Sequence, residues 1–379
     1  MSSGHLLTFI AHSLKGLRYA REKRIMNRRQ NAFVRHSRIL TAMSKFTVLI
    51  TLWDIGYRVH EDGLELLRAN DVDVNVNPNH RFYTEQELID AIKGVDGVLA
   101  NAHDPFTRNV FDAADRLKVV SRNGVGYEKV DVEAATEKSV CVTLAPIPEH
   151  VKSVADSTFT LILSSLRRIP LLDRIARSNN WSSGKFVRFV HDAYGKQLGI
   201  IGFGRIGAEV AKRARGFEME VVYYDIVRNK ALEKSLGVRY VSLEDLLRSS
   251  DIVSINVTLT PQTRHMMGDK EFAMMKDGAF LVNTARGAVI DEGSLVRALR
   301  SGKLGGAGLD VMEEEPPSAD NPLLKLENVV LTPHASSSYE DHRAMTMTNC
   351  EDMLRVFHGI KPRYLLNRQV LEKIRLREE

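Results

Sequence analysis

The stretch GIIGFGRIG at 199–207 decides the reading of the fold. A lone G-x-G-x-x-G pattern is a weak sign, but Gly202, Gly204 and Gly207 follow an apolar, β-rich run, LGIIGF (198–203). They then open a helical one, GRIGAEVAKRARGF (204–217), which is the context a dinucleotide-binding turn requires. Gly202 permits the tight turn, Gly204 lets backbone approach a pyrophosphate, and Gly207 lets helix and strand pack closely. A helix N-terminus presents free N–H groups and partial positive charge to phosphate. The next strand, EVVYYD (220–225), ends at Asp225, 18 residues past Gly207. An acid there accepts from both hydroxyls of an adenine ribose and repels a 2′-phosphate, so NAD is favoured over NADP, with Arg228 nearby as the counter-argument.

The same alternation extends both ways. Upstream, FTVLIT (46–51), VDVNV (72–76), GVLA (97–100), LKVV (117–120) and CVTL (141–144) read as short strands with helical stretches between them, as at 63–70 and 84–94. Downstream, DIVSINV (251–257), AFLVNT (279–284), GGAGLDV (305–311) and NVVLTPH (328–334) continue the series. This is the pattern of parallel sheets covered by helices, and the continuous apolar character of the later strands predicts burial on both faces. The segment 151–179 reads as a helical connection interrupted at Pro170, and 338–358 as a helix returning to the first unit. The expected organisation is a leader at 1–44, a substrate-binding domain from 45–148 and 336–379, and an NAD-binding domain at 149–335.

Charge is unevenly spread. Residues 1–45 hold ten Lys or Arg against one acid, Glu22, whereas the whole chain is only +5, which leaves the rest mildly acidic. That gives no electrostatic case for nucleic acid. The leader has the composition of a mitochondrial transit peptide; a disordered tail or an upstream extension before Met43 is the favoured reading, with a cytoplasmic protein the expectation and a mitochondrial one the alternative. No apolar run reaches the roughly 20 residues needed to span a bilayer, so no membrane association is expected. The two cysteines, Cys141 and Cys350, have no metal-ligand spacing and read as reduced thiols.

Just beyond three of the downstream strands stand Arg286 in NTARG, Asp310 and Glu315 in GLDVMEEEPP, and His334 in LTPHAS. Ligands of open parallel sheets bind outside the carboxyl ends of strands, so all four converge where the glycine turn would hold a cofactor. Arg grips a carboxylate and polarises a neighbouring carbonyl. His exchanges a proton near neutral pH, and Glu accepting from its other nitrogen fixes the tautomer.

With these motifs in view, the chain from about 46 to 360 resembles the D-isomer specific 2-hydroxyacid dehydrogenase family. The matching segments are LKVVSRNGVGYEKVDV, SVADSTFTLIL, GKQLGIIGFGRIG, LTPQTRHMM, LVNTARGAVIDEGSLVRAL, GLDVMEEEPP and LTPHAS, in the family's order. The resemblance implies two doubly wound α/β domains, one flavodoxin-like and one Rossmann, with a cleft between them and a homodimer through the cofactor domain. It implies Arg286 on the substrate carboxylate and carbonyl, His334 as the acid–base and Glu315 as its partner. Asp310 would hold the nicotinamide carboxamide, Arg205 and Ile206 would lie under the pyrophosphate, and Thr263 would approach the cofactor. The N–H groups of Val125 and Gly126 would bind the substrate carboxylate, with Asn101 also at the substrate.

Departures from the family pattern narrow the substrate. Asn101 stands where phosphoglycerate-type members have an Arg for the phosphate, and the chain ends too soon after Arg363 for the regulatory domain many of those enzymes carry. Glu315 in place of Gln disfavours formate dehydrogenases. Glu128 and Lys129 change the common GxDNxD to GYEKVD, and Asn256 and Thr258 stand where His and Pro are frequent. Trp53 is placed either on the substrate pocket or as a packed loop aromatic. The expectation is an oxidoreductase for a small unphosphorylated 2-keto or D-2-hydroxy acid, of the glyoxylate or hydroxypyruvate reductase kind. A phosphoglycerate-type enzyme and a non-catalytic NAD-sensing corepressor are the alternatives.

Overall fold

In a computed structural model of the chain, residues 46–53, 59–181 and 188–378 are described. The basic leader expected at 1–44 lies outside them. The strands form two all-parallel sheets. The first contains β1 (Phe46–Ile50), β2 (Val72–Val76), β3 (Gly97–Ala100), β4 (Val119–Arg122) and β5 (Cys141–Thr143), in the order β2-β1-β3-β4-β5. The second contains β6 (Gln197–Ile201), β7 (Glu220–Tyr224), β8 (Arg239–Tyr240), β9 (Ile252–Ile255), β10 (Ala279–Asn283), β11 (Leu304–Leu309) and β12 (Val329–Leu331), in the order β12-β11-β10-β9-β6-β7-β8. The first order is flavodoxin-like. The second reverses direction between β6 and β9, the switch point where a doubly wound sheet opens a crevice.

Side-chain alternation explains why the strands read as unbroken apolar runs. In the larger sheet Ile200, Tyr223, Phe280 and Val282 enter one buried layer, while Ile201, Val222 and Leu281 enter the layer on the opposite face. The smaller sheet divides likewise, Val98 and Val120 on one face against Leu99 and Val119 on the other. Each such side chain contributes roughly 1.5–3 kcal/mol by leaving water, and neither face can be exposed without losing a full layer.

Two long helices connect the sheets. One, Pro148–Leu166, packs Phe159, Leu161 and Ile162 into the larger sheet's core. It ends at Arg167, and Arg168 turns the chain with φ 52° into a second helix, Ile169–Arg177. Pro170 therefore lies in the first turn of a new helix, where its missing N–H costs nothing, and does not kink a single long one. The other long helix, Tyr339–Phe357, returns to the smaller sheet, where Cys350, Met353 and Leu354 enter the core and Phe357 stacks on Phe46 at 4.5 Å. Strand β8 is two residues long and has no periodicity that a sequence reading could detect.

Candidate active site

The glycine turn has the predicted anatomy. Gly202 takes φ 91°, and a Cβ there would lie 2.7 Å from the Asn256 carbonyl oxygen. A Cβ on Gly207 would lie 2.3 Å from the Gly202 carbonyl oxygen. Gly204 differs: a Cβ there would meet nothing within 4 Å, so this side of the turn is open to a ligand. Gly204 is also the N-cap of the helix Arg205–Gly216 and offers that helix no side-chain cap, which leaves its first N–H groups to an anion. Arg205 is exposed at its start, and Ile206 packs on the core.

Asp225 closes the turn. Its Oδ2 accepts from the Phe203 N–H at 2.6 Å and its Oδ1 from the Val227 N–H at 3.0 Å. Arg228 is bound on both arms by Glu233, at 2.8 Å each, and lies over the Tyr240 ring. The Arg228 guanidinium holds the Glu233 carboxyl down at about 2, so the pair stays ionised and the Arg228 cation is committed. These residues fit a dinucleotide without a 2′-phosphate.

Register brings the chemistry together. Asn283 pairs with Leu309, and Leu309 with Leu331, so Arg286, Asp310 and His334 leave neighbouring strands at one edge. Gly287, next to Arg286, touches the 312–313 backbone so closely that a Cβ would lie 1.9 Å from the Met312 carbonyl. That contact sets Arg286 against the segment bearing Glu315. Glu315 Oε2 lies 2.6 Å from His334 Nδ1, and its Oε1 accepts from the Met312 N–H at 2.9 Å. Burial works to raise the Glu315 carboxyl. The hydrogen bond and charge of His334, the Met312 N–H and the nearby His103 outweigh it and hold the group below the ordinary range. An ionised carboxylate only accepts, so Nδ1 of His334 carries the proton and Nε2 is the nitrogen left to exchange one.

His334 takes φ 51°, a left-handed conformation costing on the order of 1–3 kcal/mol for a non-glycine residue. Buried Asp310 holds it there. Its Oδ1 accepts from Thr332 Oγ1 at 2.5 Å and the Ala335 N–H at 2.8 Å, its Oδ2 from the Ser336 N–H at 3.2 Å and Ser336 Oγ at 2.5 Å, and its carbonyl from the His334 N–H at 2.8 Å. Four bonds fill the carboxylate. Its side chain thus clamps the loop that presents His334. Thr263 is similarly occupied, its hydroxyl donating to the Thr258 carbonyl at 2.7 Å within its own turn.

The smaller sheet faces this edge with the loops that follow β3 and β4. A Cβ on Gly126 would lie 2.0 Å from Arg286 Nη2, so the guanidinium rests on the GVGY loop beside exposed Val125. Arg286 Nε also donates to Glu128 Oε1 at 3.2 Å. Beneath the loop, fully buried Arg122 donates from Nε to the Gly126 carbonyl at 3.0 Å and from Nη1 to the Ala100 carbonyl at 2.8 Å. Burial lowers its guanidinium to about 10, still cationic at neutral pH. Sequence reasoning missed Arg122, whose one signal is a charge ending an apolar strand, and left Glu128 without a role.

Asn101 is buried and its side chain turns inward. Nδ2 donates to Asp104 Oδ2 at 2.5 Å and to Thr51 Oγ1 at 3.2 Å, while Oδ1 accepts from the N–H groups of His103 and Asp104. The side chain this loop directs to Glu315 and His334 is that of His103, its Nε2 3.7 Å from Glu315 Oε2. Trp53 packs edge-on against Phe82, which in turn packs on His103.

Residues 159–336 match the family model described as D-isomer specific 2-hydroxyacid dehydrogenase, NAD binding domain. A glyoxylate reductase of Korarchaeum cryptofilum is 42% identical over 292 residues, which cover 76% of this chain and 88% of the relative. The chain belongs to the D-isomer specific 2-hydroxyacid dehydrogenase family. It is an NAD-linked oxidoreductase of hydroxy acids. A D-3-phosphoglycerate dehydrogenase of Methanocaldococcus jannaschii is 40% identical across 79% of this chain but only 56% of the relative. Among solved structures, a glyoxylate reductase from Paecilomyes thermophila superposes with TM-score 0.74 at 33% identity, covering 86% of this chain and all of that one. Among the described residues no helix of this dehydrogenase is long and apolar enough to cross a membrane.

Proposed function

We propose that this dehydrogenase interconverts a small unphosphorylated 2-keto acid and its D-2-hydroxy acid, as its glyoxylate reductase relatives are named for doing. The observation that carries the reading is the His334–Glu315 pair at 2.6 Å on the edge where Arg286 rests against Gly126. Residues 149–335 act as the cofactor domain, and 45–148 with 336–379 as the substrate domain. Gly202, Gly204, Arg205, Ile206, Gly207 and Asp225 hold NAD, with Thr263 and Asp310 bordering it.

The N–H groups of Val125 and Gly126 and the Arg286 guanidinium grip the substrate carboxylate, and Arg286 also polarises the C2 carbonyl. When bound, the reduced nicotinamide supplies a hydride to C2. His334 Nε2 delivers the proton to the oxygen that becomes the hydroxyl, and Glu315 stabilises the charged imidazole and keeps Nδ1 protonated. Arg286 stabilises the negative charge growing on that oxygen. In the oxidising direction His334 takes the proton back.

A homodimer through the cofactor domain fits the helix Ile169–Arg177, which has no buried residue, and the exposed Ile169, Trp181 and Tyr194 around it. A cytoplasmic setting accompanies this reading. The test is NADH and NADPH oxidation by the purified full chain on glyoxylate, hydroxypyruvate, pyruvate and 3-phosphohydroxypyruvate. NADH-dependent turnover greatest on an unphosphorylated acid supports the proposal. Preference for the phosphorylated acid would replace it with the phosphoglycerate-type reading, and cofactor binding without turnover would replace it with a sensing role.

A further inference from the structure

We propose that His103, Glu315 and His334 together form a site for a divalent transition metal, zinc above all, and that a metal held there stops turnover. The three side chains offer two ring nitrogens and a carboxylate oxygen, all within 4.8 Å of one another. Zinc takes such a donor set with three protein ligands and an open fourth position. Its bonds of about 2.0–2.1 Å place tetrahedral ligands roughly 3.3–3.4 Å apart. His103 Nε2 and Glu315 Oε2, at 3.7 Å, already stand near that spacing. The His334–Glu315 contact at 2.6 Å must open by less than about 1 Å to admit the ion.

The arrangement is held in place before any ion arrives. Asn101 Oδ1 accepts from the His103 N–H at 2.6 Å. The His103 ring packs on Phe82 at 4.4 Å and meets the His334 ring edge-on at 5.9 Å. The Glu315 and His334 side chains keep 18% and 34% of their exposure, and that of His103 keeps 23%, so an ion can reach them from solvent. The two thiols, ordinarily the stronger zinc ligands, are fully buried, and burial pushes both up, Cys141 to about 12. Neither competes as a thiolate.

The ligands come from both sheets, His103 from the loop after β3 and the others from the loops after β11 and β12, so a bound metal joins the two domains. The effect on turnover rests on the proton-transfer role assigned to His334. A coordinated imidazole no longer cycles between neutral and protonated forms, and Glu315 no longer orients it.

The experiment titrates zinc chloride into the full chain, free of affinity tag and chelating buffer, and follows NADH oxidation, with visible absorption of added cobalt(II) as a readout independent of activity. It is run on the native chain, His103→Ala and His103→Gln, each scored against its own metal-free rate. The expected result is inhibition reversed by EDTA and a tetrahedral cobalt spectrum. In both variants zinc potency falls at least roughly tenfold, since loss of even an outer partner costs about 10–100-fold in affinity, and the cobalt spectrum is lost. Equal inhibition of the native chain and both variants would overturn the site, as would the absence of any cobalt spectrum. A His103-dependent cobalt spectrum without inhibition would overturn the coupling to turnover, while the proton-transfer role of His334 is tested apart from it by His334→Ala.

Discussion

At the carboxyl edge of the seven-stranded sheet the chemistry lies in side chains. His334, Glu315 and Arg286 present charged or titratable tips, and Asp310 fixes the loop that carries the imidazole. At the facing edge of the five-stranded sheet it lies in backbone. The GVGY loop offers N–H groups, and a buried cation, Arg122, holds its carbonyl from below. In the proposed mechanism one edge does proton transfer and charge stabilisation, which need functional side chains. The other joins Arg286 in recognising a carboxylate, for which it supplies aimed peptide groups on a rigid support. The two edges should therefore fail differently when damaged.

The largest effect is expected from His334→Ala. Turnover should fall by about 10²–10⁴-fold, the usual worth of a general acid–base, while NADH binding, followed by fluorescence titration, stays intact. Turnover equal to the native chain would remove His334 from the mechanism. Arg286→Ala comes next. It should lower kcat by about 10²–10³-fold, as loss of a donor to developing negative charge does, and raise KM as well, because in the proposed mechanism the guanidinium serves both carboxylate and carbonyl.

Arg122→Met tests the opposite edge. It removes both guanidinium bonds, leaving the Gly126 carbonyl without that donor while the Ala100 carbonyl keeps the Asn123 N–H, at a cost of roughly 1.5–3 kcal/mol for each hydrogen bond to a charged group, read by urea unfolding. KM should rise more than kcat falls. A kcat loss matching that of Arg286→Ala would contradict the division of labour. The smallest effect is expected from Glu128→Gln. The Glu128–Arg286 ion pair is partly exposed and worth about 0.2–1 kcal/mol. An incoming carboxylate displaces it, so KM should fall by a few-fold at most, with kcat unchanged.

Acid pH sharpens the comparison from another side. Glu315 is held below its ordinary range in the folded protein. Its contribution to stability is therefore complete above the ordinary carboxylate pKa and is lost as pH falls through the lowered native value. Glu315→Gln should flatten that acid limb in thermal unfolding followed across pH, whereas an unchanged slope would show that the carboxylate is not perturbed.

The side-chain edge was far more legible in the sequence than the backbone edge, for a physical reason. Arg286, Glu315 and His334 are unusual residues just past apolar strands, and a parallel sheet forces strand ends together. The glycines at 202 and 207 are demanded by local backbone contact, so they also read directly. The meaning of Arg122 and Glu128 depends on contacts that the chain pattern does not encode, up to 158 residues apart for Glu128 and Arg286. Asn101 shows the same limit in reverse. Its chemistry suggested a substrate contact, but four hydrogen bonds with Thr51, His103 and Asp104 of its own domain draw the amide inward and leave the His103 ring facing the acid–base pair. Asp310, expected at the nicotinamide, gives both carboxylate oxygens to residues 332–336, a demand visible only once the left-handed backbone of His334 is known.

That Arg286 and His334 act on a single ketone is tested most directly by a double-mutant cycle on kcat/KM with His334→Ala, Arg286→Ala and the pair. Groups serving one transition state are strongly non-additive, so the double variant should lose little more than the worse single one. Losses that simply multiply would mean that the guanidinium and the imidazole work at separate places.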